Sequence, residues 1–265
     1  MNLQSRLSQQ ARFVLTLIMI GGLVSCGDFN TTQPEPDTTA SKTLGYTKIN
    51  EPNADDPLDA QIYELDNGLK VYLTENHEEP RFYAEIAVRA GSKHDPADGT
   101  GLAHYLEHLL FKGNQNLGTL DYEAEKPYLD EIVNLYEEHF SATDDERRAE
   151  IYSEINRVAQ IAAEYAVPNE IDKIYNSMGG TGLNAHTWYE ETVYKIGLPS
   201  NRLKQWAEIE SDRFVNPVFR LFHTELETVY EEKNRSLDNG GRIIGTAIDE
   251  LLYKVHPYGQ QPTIG

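Results

Sequence analysis

Two histidines and a glutamate interrupt the otherwise apolar segment GLAHYLEHLLFKG at residues 101–113. His104 and His108 are four residues apart, and in a helix this spacing places them on one face, one turn apart along the axis. Both imidazoles can then point a ring nitrogen at one metal ion, and Glu107 borders the same face. This H-x-x-E-H pattern is typical of zinc sites in which the glutamate takes a proton from a metal-bound water.

A pair of histidines satisfied within a partly buried helix is the alternative interpretation of this segment. The surrounding residues argue against it, because Leu102, Leu106 and Leu109 predict a buried helix in which the polar side chains need a compensating partner. A metal ion provides such a partner. The pattern therefore favours a metal site over a structural histidine pair.

A catalytic zinc ion typically takes three protein ligands and leaves a fourth position open, so one more ligand is required. The best source is the predicted helix containing TELETVYEEKN, residues 224–234. Glu225 and Glu232 are two helical turns apart and lie on one face. A charged amphipathic helix would show the same spacing, so spacing alone does not decide between a ligand and a solvated carboxylate.

Periodicity and turn residues predict the elements that must position these groups. A hairpin with Asn67-Gly68 at its turn is expected within 61–76. Further strands are predicted at 81–91, 181–189 and 191–199, and helices at 101–111, 169–178, 200–214 (capped by Ser200) and, as one long stretch, 221–253. Strands and helices mix without strict βαβ alternation, which predicts an α+β fold with an antiparallel or mixed sheet packed against helices.

A highly charged segment at 121–167 predicts a helical hairpin. Apolar residues recur in it at helical spacing, in two runs separated by a short break. Thr143 and Glu146 form a capping-box pattern at that break, and Pro168 ends the second run.

The first 57 residues predict export and anchoring. Arg6 and Arg12 precede an apolar run that is too short to span a bilayer, as in a signal peptide. Leu23-Val24-Ser25-Cys26 resembles the lipobox of bacterial lipoproteins, which implies a signal peptide at 1–26 and acylation of Cys26. A secretory helix with a chance cysteine is the alternative. Gly27 after the cysteine favours the outer membrane, facing the periplasm, and residues 27–57 predict a flexible tether.

The charge of the chain restricts its partners. There are 23 basic and 43 acidic residues, which give a formal charge of -20 at pH 7. Such a chain repels nucleic acid and anionic lipid surfaces, so nucleic-acid binding is excluded and membrane contact is expected only through the lipid anchor.

Several segments together resemble the pitrilysin/insulinase family of zinc metallopeptidases. They are NGLKVYLTEN, AVRAGSKHDPADGTGLAHYLEHLLFKG, LNAHTWYEETVYK, ELETVYEEKN and HPYGQQPTIG, in the family's order across residues 58–265. The resemblance implies one zinc ion per chain, held by His104, His108 and Glu232, with Glu107 as the general base. It also implies that Glu225 orients a zinc ligand.

The resemblance further implies how a substrate binds and that a C-terminal half is needed. Asn184 and Ala185 match a family pair on an edge strand, where the substrate backbone adds as an extra strand. Residues 58–265 match an incomplete N-terminal domain. The spacing from His108 to Glu232 is longer than is usual in the family, so the hairpin at 121–167 is interpreted as an insertion, which could reach over the cleft, provide a surface for a partner or be an inert elaboration. A C-terminal half, in the same or another chain, is therefore expected.

The predicted function is a zinc-dependent endopeptidase acting on peptides or unfolded segments. A non-catalytic relative of the same fold, serving as a scaffold or a partner-binding subunit, is the main alternative. A zinc-binding or zinc-delivery lipoprotein is a weaker alternative, because it would be expected to carry an exposed histidine-rich tract. The eight histidines of this chain are scattered.

Overall fold

The computed structural model describes residues 45–51, 53 and 55–265. These residues form two compact units, which divide between Pro80 and Arg81. The predicted signal peptide, Cys26 and most of the predicted tether lie outside the described residues. None of the described helices is long and apolar enough to cross a membrane.

The smaller unit contains a three-stranded antiparallel sheet. Its strands, in spatial order, are β1 (Tyr46–Lys48), β2 (Gln61–Leu65) and β3 (Lys70–Leu73). The predicted hairpin joins β2 to β3, and Gly68 in its turn has a φ of 85°, a conformation that favours glycine. Residues 46–48 of the predicted tether form a strand, because they pair in register with β2.

The larger unit, residues 81–265, is built on a second antiparallel sheet. Its strands, in spatial order, are β4 (Arg81–Val88), β6 (Thr192–Pro199) and β5 (Thr181–Thr187). The central strand β6 is largely buried, and its Ile196 and Leu198 pack with Ile171 and Tyr175 in one core cluster. Strand β5 pairs with β6 alone among the described strands, so β5 forms an edge of this sheet.

Seven α-helices complete the described part of the larger unit. They are α1 (Leu102–Leu109), α2 (Tyr122–Ser141), α3 (Asp145–Ala163), α4 (Glu170–Ser177), α5 (Leu203–Val215), α6 (Phe222–Ser236) and α7 (Gly240–Leu252). Antiparallel sheets and helices confirm the predicted α+β fold.

The prediction of one helix over 221–253 is wrong. The chain leaves the helical path at residues 237–239, and Asn239 caps α7 by accepting a hydrogen bond from the Arg242 N–H. Asparagine is favoured at this position because its side-chain oxygen accepts a backbone N–H of the first turn, which has no acceptor within the helix. The helix predicted to be capped by Ser200 starts instead as a 3-10 turn, Ser200–Arg202, and becomes α-helical at Leu203 without a side-chain cap.

Helices α2 and α3 form an antiparallel pair where the hairpin is predicted, and Tyr136 and Ile155 lie in their shared core. The predicted capping box at Thr143 is wrong. Asp144 is the residue that caps α3, because its backbone is extended and its carboxylate accepts the Arg147 N–H at 2.8 Å. A carboxylate also interacts favourably with the positive end of the helix dipole.

A buried ion pair joins α2 to the segment that precedes α6. Arg220 and Glu125 are 2% and 0% exposed, and the guanidinium donates to both carboxylate oxygens at 2.9–3.2 Å. Arg220 also donates to the carbonyls of Lys112, Asn114 and Leu117. One side chain therefore holds the start of the hairpin and the loop after α1 in place.

Replacement of Arg220 by methionine is expected to lower the free energy of unfolding by about 3–5 kcal/mol, because the Glu125 carboxylate would stay buried without a counter-charge. Urea denaturation measures the change. The matched control is Arg157→Met, which removes an exposed ion pair with Glu154 and is expected to change stability far less. Equal urea midpoints for Arg220→Met and the wild type would show that the buried ion pair does not stabilise the fold.

Candidate metal centre

Asp95 determines where α1 begins. Its carboxylate accepts the backbone N–H groups of Gly101 at 2.8 Å and Ala103 at 2.9 Å. Backbone N–H groups in the first turn of a helix have no intrahelical acceptor, so such a carboxylate stabilises the helix start. This start places His104 in the first turn and His108 in the second.

Helix α6 packs against α1 through an apolar cluster made of Leu102, Tyr105, Leu109, Leu226 and Val229. The Tyr105 hydroxyl also donates to the backbone carbonyl of Phe222, where α6 begins. The packing therefore sets the relative position of the two helices. It brings the acidic side chains of α6 to the two histidines of α1.

The three predicted zinc ligands meet where α6 packs against α1. The Nε2 atoms of His104 and His108 are 3.2 Å apart, and Oε2 of Glu232 is 3.7 Å and 3.6 Å from them. A point about 2.0 Å from all three atoms exists in such a triangle, and zinc binds imidazole nitrogen and carboxylate oxygen at about 2.0–2.2 Å. The three residues therefore fit a zinc ion. Three protein ligands leave one coordination position open, as in catalytic zinc sites.

Glu225 contacts His108 from the side opposite the metal position. Its Oε1 lies 2.9 Å from His108 Nδ1, and its Oε2 pairs with the Lys112 ammonium. Burial alone would raise the pKa of Glu225, but the bonds from His108 and Lys112 outweigh burial and lower this pKa. An ionised Glu225 accepts a hydrogen bond from Nδ1–H and so leaves the Nε2 lone pair of His108 for a metal.

Replacement of Glu225 by glutamine is expected to lower zinc affinity about 10- to 100-fold, because His108 loses a charged acceptor that fixes its ring and its tautomer. Competition with a chromogenic chelator measures the affinity. Glu227→Gln on the same helix is the control, since that side chain is 69% exposed and is expected to leave zinc binding unchanged. An unchanged zinc affinity in Glu225→Gln would show that Glu225 does not orient His108.

The two histidines differ in their electrostatic surroundings. Burial, followed by the charges of His108 and Arg242, lowers the pKa of His104 to about 4. His104 is therefore neutral at neutral pH, as a metal ligand must be. Burial would also lower the pKa of His108, but Glu225 and Glu232 outweigh this and raise it. A cation that binds at Nε2 of His108 would therefore displace a proton.

Glu107 lies on α1 between the two histidines and is only 7% exposed. Burial raises its pKa, partly offset by a hydrogen bond from Thr187. The Thr187 hydroxyl donates to Oε2 of Glu107 at 2.6 Å and lies 3.2 Å from the Thr192 hydroxyl. In the described part of the chain no group donates a hydrogen bond to Oε1, so this oxygen is the one available to a reactant.

Asn184 and Ala185 lie on the edge strand β5, as the resemblance implies. They pair with Lys195 and Tyr194 of β6, and the register shifts between Thr181 and Asn184. The other side of β5 has no strand partner among the described strands. Such an edge presents backbone N–H and C=O groups that can pair with an extended peptide.

Three residues of the centre were missed by the sequence reasoning: Asp95, Lys112 and Thr187. Each acts through a contact that no short-range pattern indicates. Asp95 precedes the helix it caps by several residues, and Thr187 is 80 residues from Glu107. Lys112 follows the helix directly, but its pairing with Glu225 depends on how α6 packs.

Comparisons with known proteins find similarity over part of this chain. The family described as Insulinase (Peptidase family M16) matches residues 70–132, which include the helix of His104 and His108. The probable zinc protease PqqL of Haemophilus influenzae is 37% identical over 67 residues, which cover 24% of this chain and 7% of that protein. The insulin-degrading enzyme of Bos taurus is 33% identical over 103 residues, 39% of this chain and 9% of the enzyme.

Solved structures share the fold. Pitrilysin superposes with a TM-score of 0.55 at 18% identity and covers 83% of this chain and 19% of its own. The first half of the periplasmic protease PqqL from Escherichia coli gives a TM-score of 0.54 at 20% identity and covers 78% of this chain and 35% of its own. The chain thus corresponds to a minor part of the length of each protein it matches.

The chain therefore combines an α+β fold found in solved proteases with two histidines and a glutamate at separations that fit a metal ion. The chain is similar to the insulinase family of peptidases over residues 70–132.

Proposed function

We propose that this protein is a zinc-dependent endopeptidase that hydrolyses bonds in peptides or unfolded segments. One observation carries the proposal: His104, His108 and Glu232 converge at zinc-ligand separations, with the buried Glu107 carboxylate on the same helix as the histidines. The names of the relatives, zinc protease and insulin-degrading enzyme, support it.

Each ligand residue has a separate part in holding one zinc ion per chain. His104 would offer a neutral nitrogen, His108 a nitrogen oriented by Glu225, and Glu232 a charged oxygen. When bound, zinc would polarise a peptide carbonyl and lower the pKa of a water molecule.

Glu107 is the proposed general base. Oε1 would accept a proton from the attacking water and then deliver it to the nitrogen of the leaving amine. Burial raises the pKa of this carboxyl group, which makes it a better proton acceptor than an exposed glutamate. Thr187 holds Oε2 and so fixes the direction in which Oε1 points.

The edge strand β5 is the proposed binding surface for the substrate backbone. An extended peptide would pair with β5 at Asn184 and Ala185, and β5 ends at Thr187, which contacts Glu107. Pairing along this strand would therefore carry a peptide bond towards the general base.

We also propose a cellular location for the protein and a C-terminal half as its partner. Anchoring through acylated Cys26 in the outer membrane, facing the periplasm, is supported by the lipobox-like residues 23–26. One structural neighbour is described as the first half of a periplasmic protease, which supports a C-terminal half in the same or another chain.

The proposal is tested with an unstructured, mildly basic fluorogenic peptide and the full-length, zinc-loaded protein. Cleavage is measured for the wild type, with and without a chelator, and for Glu107→Gln at matched zinc content. Cleavage that is confined to the wild type and removed by the chelator supports the proposal. Equal cleavage with and without the chelator would contradict it.

A further inference from the structure

Helix α6 carries Glu225 and Glu232, yet its own sequence does little to define where the helix begins. Leu221, directly before the first helical residue, has a φ of 54°, in the left-handed region that residues other than glycine rarely adopt. Its apolar side chain also cannot accept a backbone N–H of the first turn. A backbone in this conformation persists only where the surrounding structure holds it in place.

The hairpin α2–α3 supplies groups that hold the start of α6. His223, the second residue of α6, lies between two tyrosine hydroxyls of the hairpin. Its Nδ1 is 3.2 Å from the Tyr136 hydroxyl on α2, and its Nε2 is 2.9 Å from the Tyr152 hydroxyl on α3. Each helix of the hairpin therefore bonds one ring nitrogen. We call His223, Tyr136 and Tyr152 the His223 clamp.

The two bonds of the His223 clamp suit a neutral imidazole. A neutral ring has one N–H donor and one acceptor nitrogen, and a tyrosine hydroxyl can either donate or accept. Both bonds can therefore form at the same time. Burial lowers the pKa of His223, partly offset by the charge of Glu227, so the ring is neutral at neutral pH. The ring cannot turn without losing both bonds, which fixes its position.

Apolar packing supports the His223 clamp but leaves a gap beside it. Phe222 packs against the cluster of Tyr136, Ile151 and Ile155, and its ring centroid is 5.8 Å from that of Tyr136. A cavity of about 370 Å³ nevertheless lies between the hairpin and residues 217–224. Atoms that face a gap lose part of their packing contacts. The bonds to His223 therefore contribute more to fixing the start of α6 than they would in a filled core.

The His223 clamp reaches the metal centre through the geometry of α6. Residues two apart in a helix point about 200° apart, so His223 and Glu225 lie on nearly opposite faces. His223 faces the hairpin, while Glu225 and Glu232 face the histidines of α1. A rotation or shift at the start of α6 would therefore move the Glu225 carboxylate away from His108.

We propose that the hairpin α2–α3 positions the metal centre and that His223 is the positioning residue through which it acts. By fixing the start of α6, the clamp places the Glu225 carboxylate against His108 and the Glu232 carboxylate at the metal position. The inference rests on the proposed zinc peptidase function. It assigns a role to the segment 121–167, for which the sequence alone left several roles open.

The test measures zinc affinity in the full-length protein by competition with a chromogenic chelator. Tyr136→Phe with Tyr152→Phe removes both hydroxyls and keeps both rings, so the apolar packing of the hairpin is retained. Zinc affinity is expected to fall about tenfold, at the lower end of the range for loss of a ligand's partner, because His223 acts through Glu225. The cobalt-substituted variant is expected to show a shifted d–d absorption band, which reports ligand geometry rather than stability.

Tyr128→Phe with Tyr165→Phe is the matched control. These two tyrosines belong to the same segment, and their rings stack with centroids 6.0 Å apart. Tyr128 lies about two helical turns before Tyr136 on α2. Zinc affinity and the cobalt spectrum are expected to match the wild type. An equal fall of affinity in this control, or no fall in the clamp variant, would overturn the positioning role.

A second pair of variants tests His223 itself. Glutamine supplies one donor and one acceptor, as neutral imidazole does, whereas leucine supplies neither. We expect His223→Gln to bind zinc more tightly than His223→Leu. Circular dichroism checks that both proteins are folded. Equal zinc affinities in two folded variants would show that the bonds to the tyrosines do not position α6.

Peptide cleavage distinguishes failure of this inference from failure of the proposed function. Cleavage by the wild type, with unchanged zinc affinity in the clamp variant, overturns the positioning role and leaves the peptidase. A tenfold loss of affinity in the clamp variant, with a zinc-loaded wild type that cleaves no peptide, supports the positioning role and overturns the peptidase.

Discussion

Glu107→Gln is expected to lower kcat/KM for an unstructured peptide by about a thousandfold, within the range that general acid–base catalysis contributes. Glutamine has the shape of glutamate and can still accept the Thr187 hydroxyl bond, but its amide cannot accept a proton from water at neutral pH. Zinc content is expected to stay at one ion per chain, because His104, His108 and Glu232 are unchanged. Fluorogenic peptide assays and metal analysis measure the two quantities.

Glu231→Gln is the matched control for this experiment. It makes the same chemical change on α6, next to the ligand Glu232, at an exposed position. We expect wild-type activity in this variant. Activity of Glu107→Gln within tenfold of the wild type at equal zinc content would show that another group moves the proton.

His108→Ala is expected to abolish stoichiometric zinc binding. The change removes one of three ligands and leaves the Glu225 carboxylate without its imidazole partner. Loss of an outer hydrogen-bond partner typically costs about 10- to 100-fold in metal affinity, so loss of a direct ligand is expected to exceed that range. Equilibrium dialysis followed by metal analysis gives the affinity without requiring activity.

The control for this variant is His77→Ala. His77 lies in the smaller unit, and its side chain is 87% exposed, so its loss is expected to leave zinc affinity unchanged. Circular dichroism of both variants checks that the fold is retained. A folded His108→Ala protein that binds zinc like the wild type would place the metal elsewhere.

Local patterns predicted much of the site because they depend on the geometry of single elements. The four-residue spacing of His104 and His108 requires only that the segment is helical. In the same way, the seven-residue spacing of Glu225 and Glu232 places both on one face of α6, and both carboxylates do meet the histidines. Helix boundaries were predicted less well. The break at Asn239, for example, depends on one side chain that accepts a hydrogen bond from a backbone N–H.

The sequence by itself determined the α+β class, the helical hairpin and the residues proposed to bind zinc, since periodicity and turn residues specify local structure. Only the tertiary structure decided which of these residues meet. The bonds from Thr187 to Glu107 and from His108 to Glu225 join residues 80 and 117 positions apart. No spacing in the sequence indicates such pairs, because they form only when β5 and α6 pack against α1.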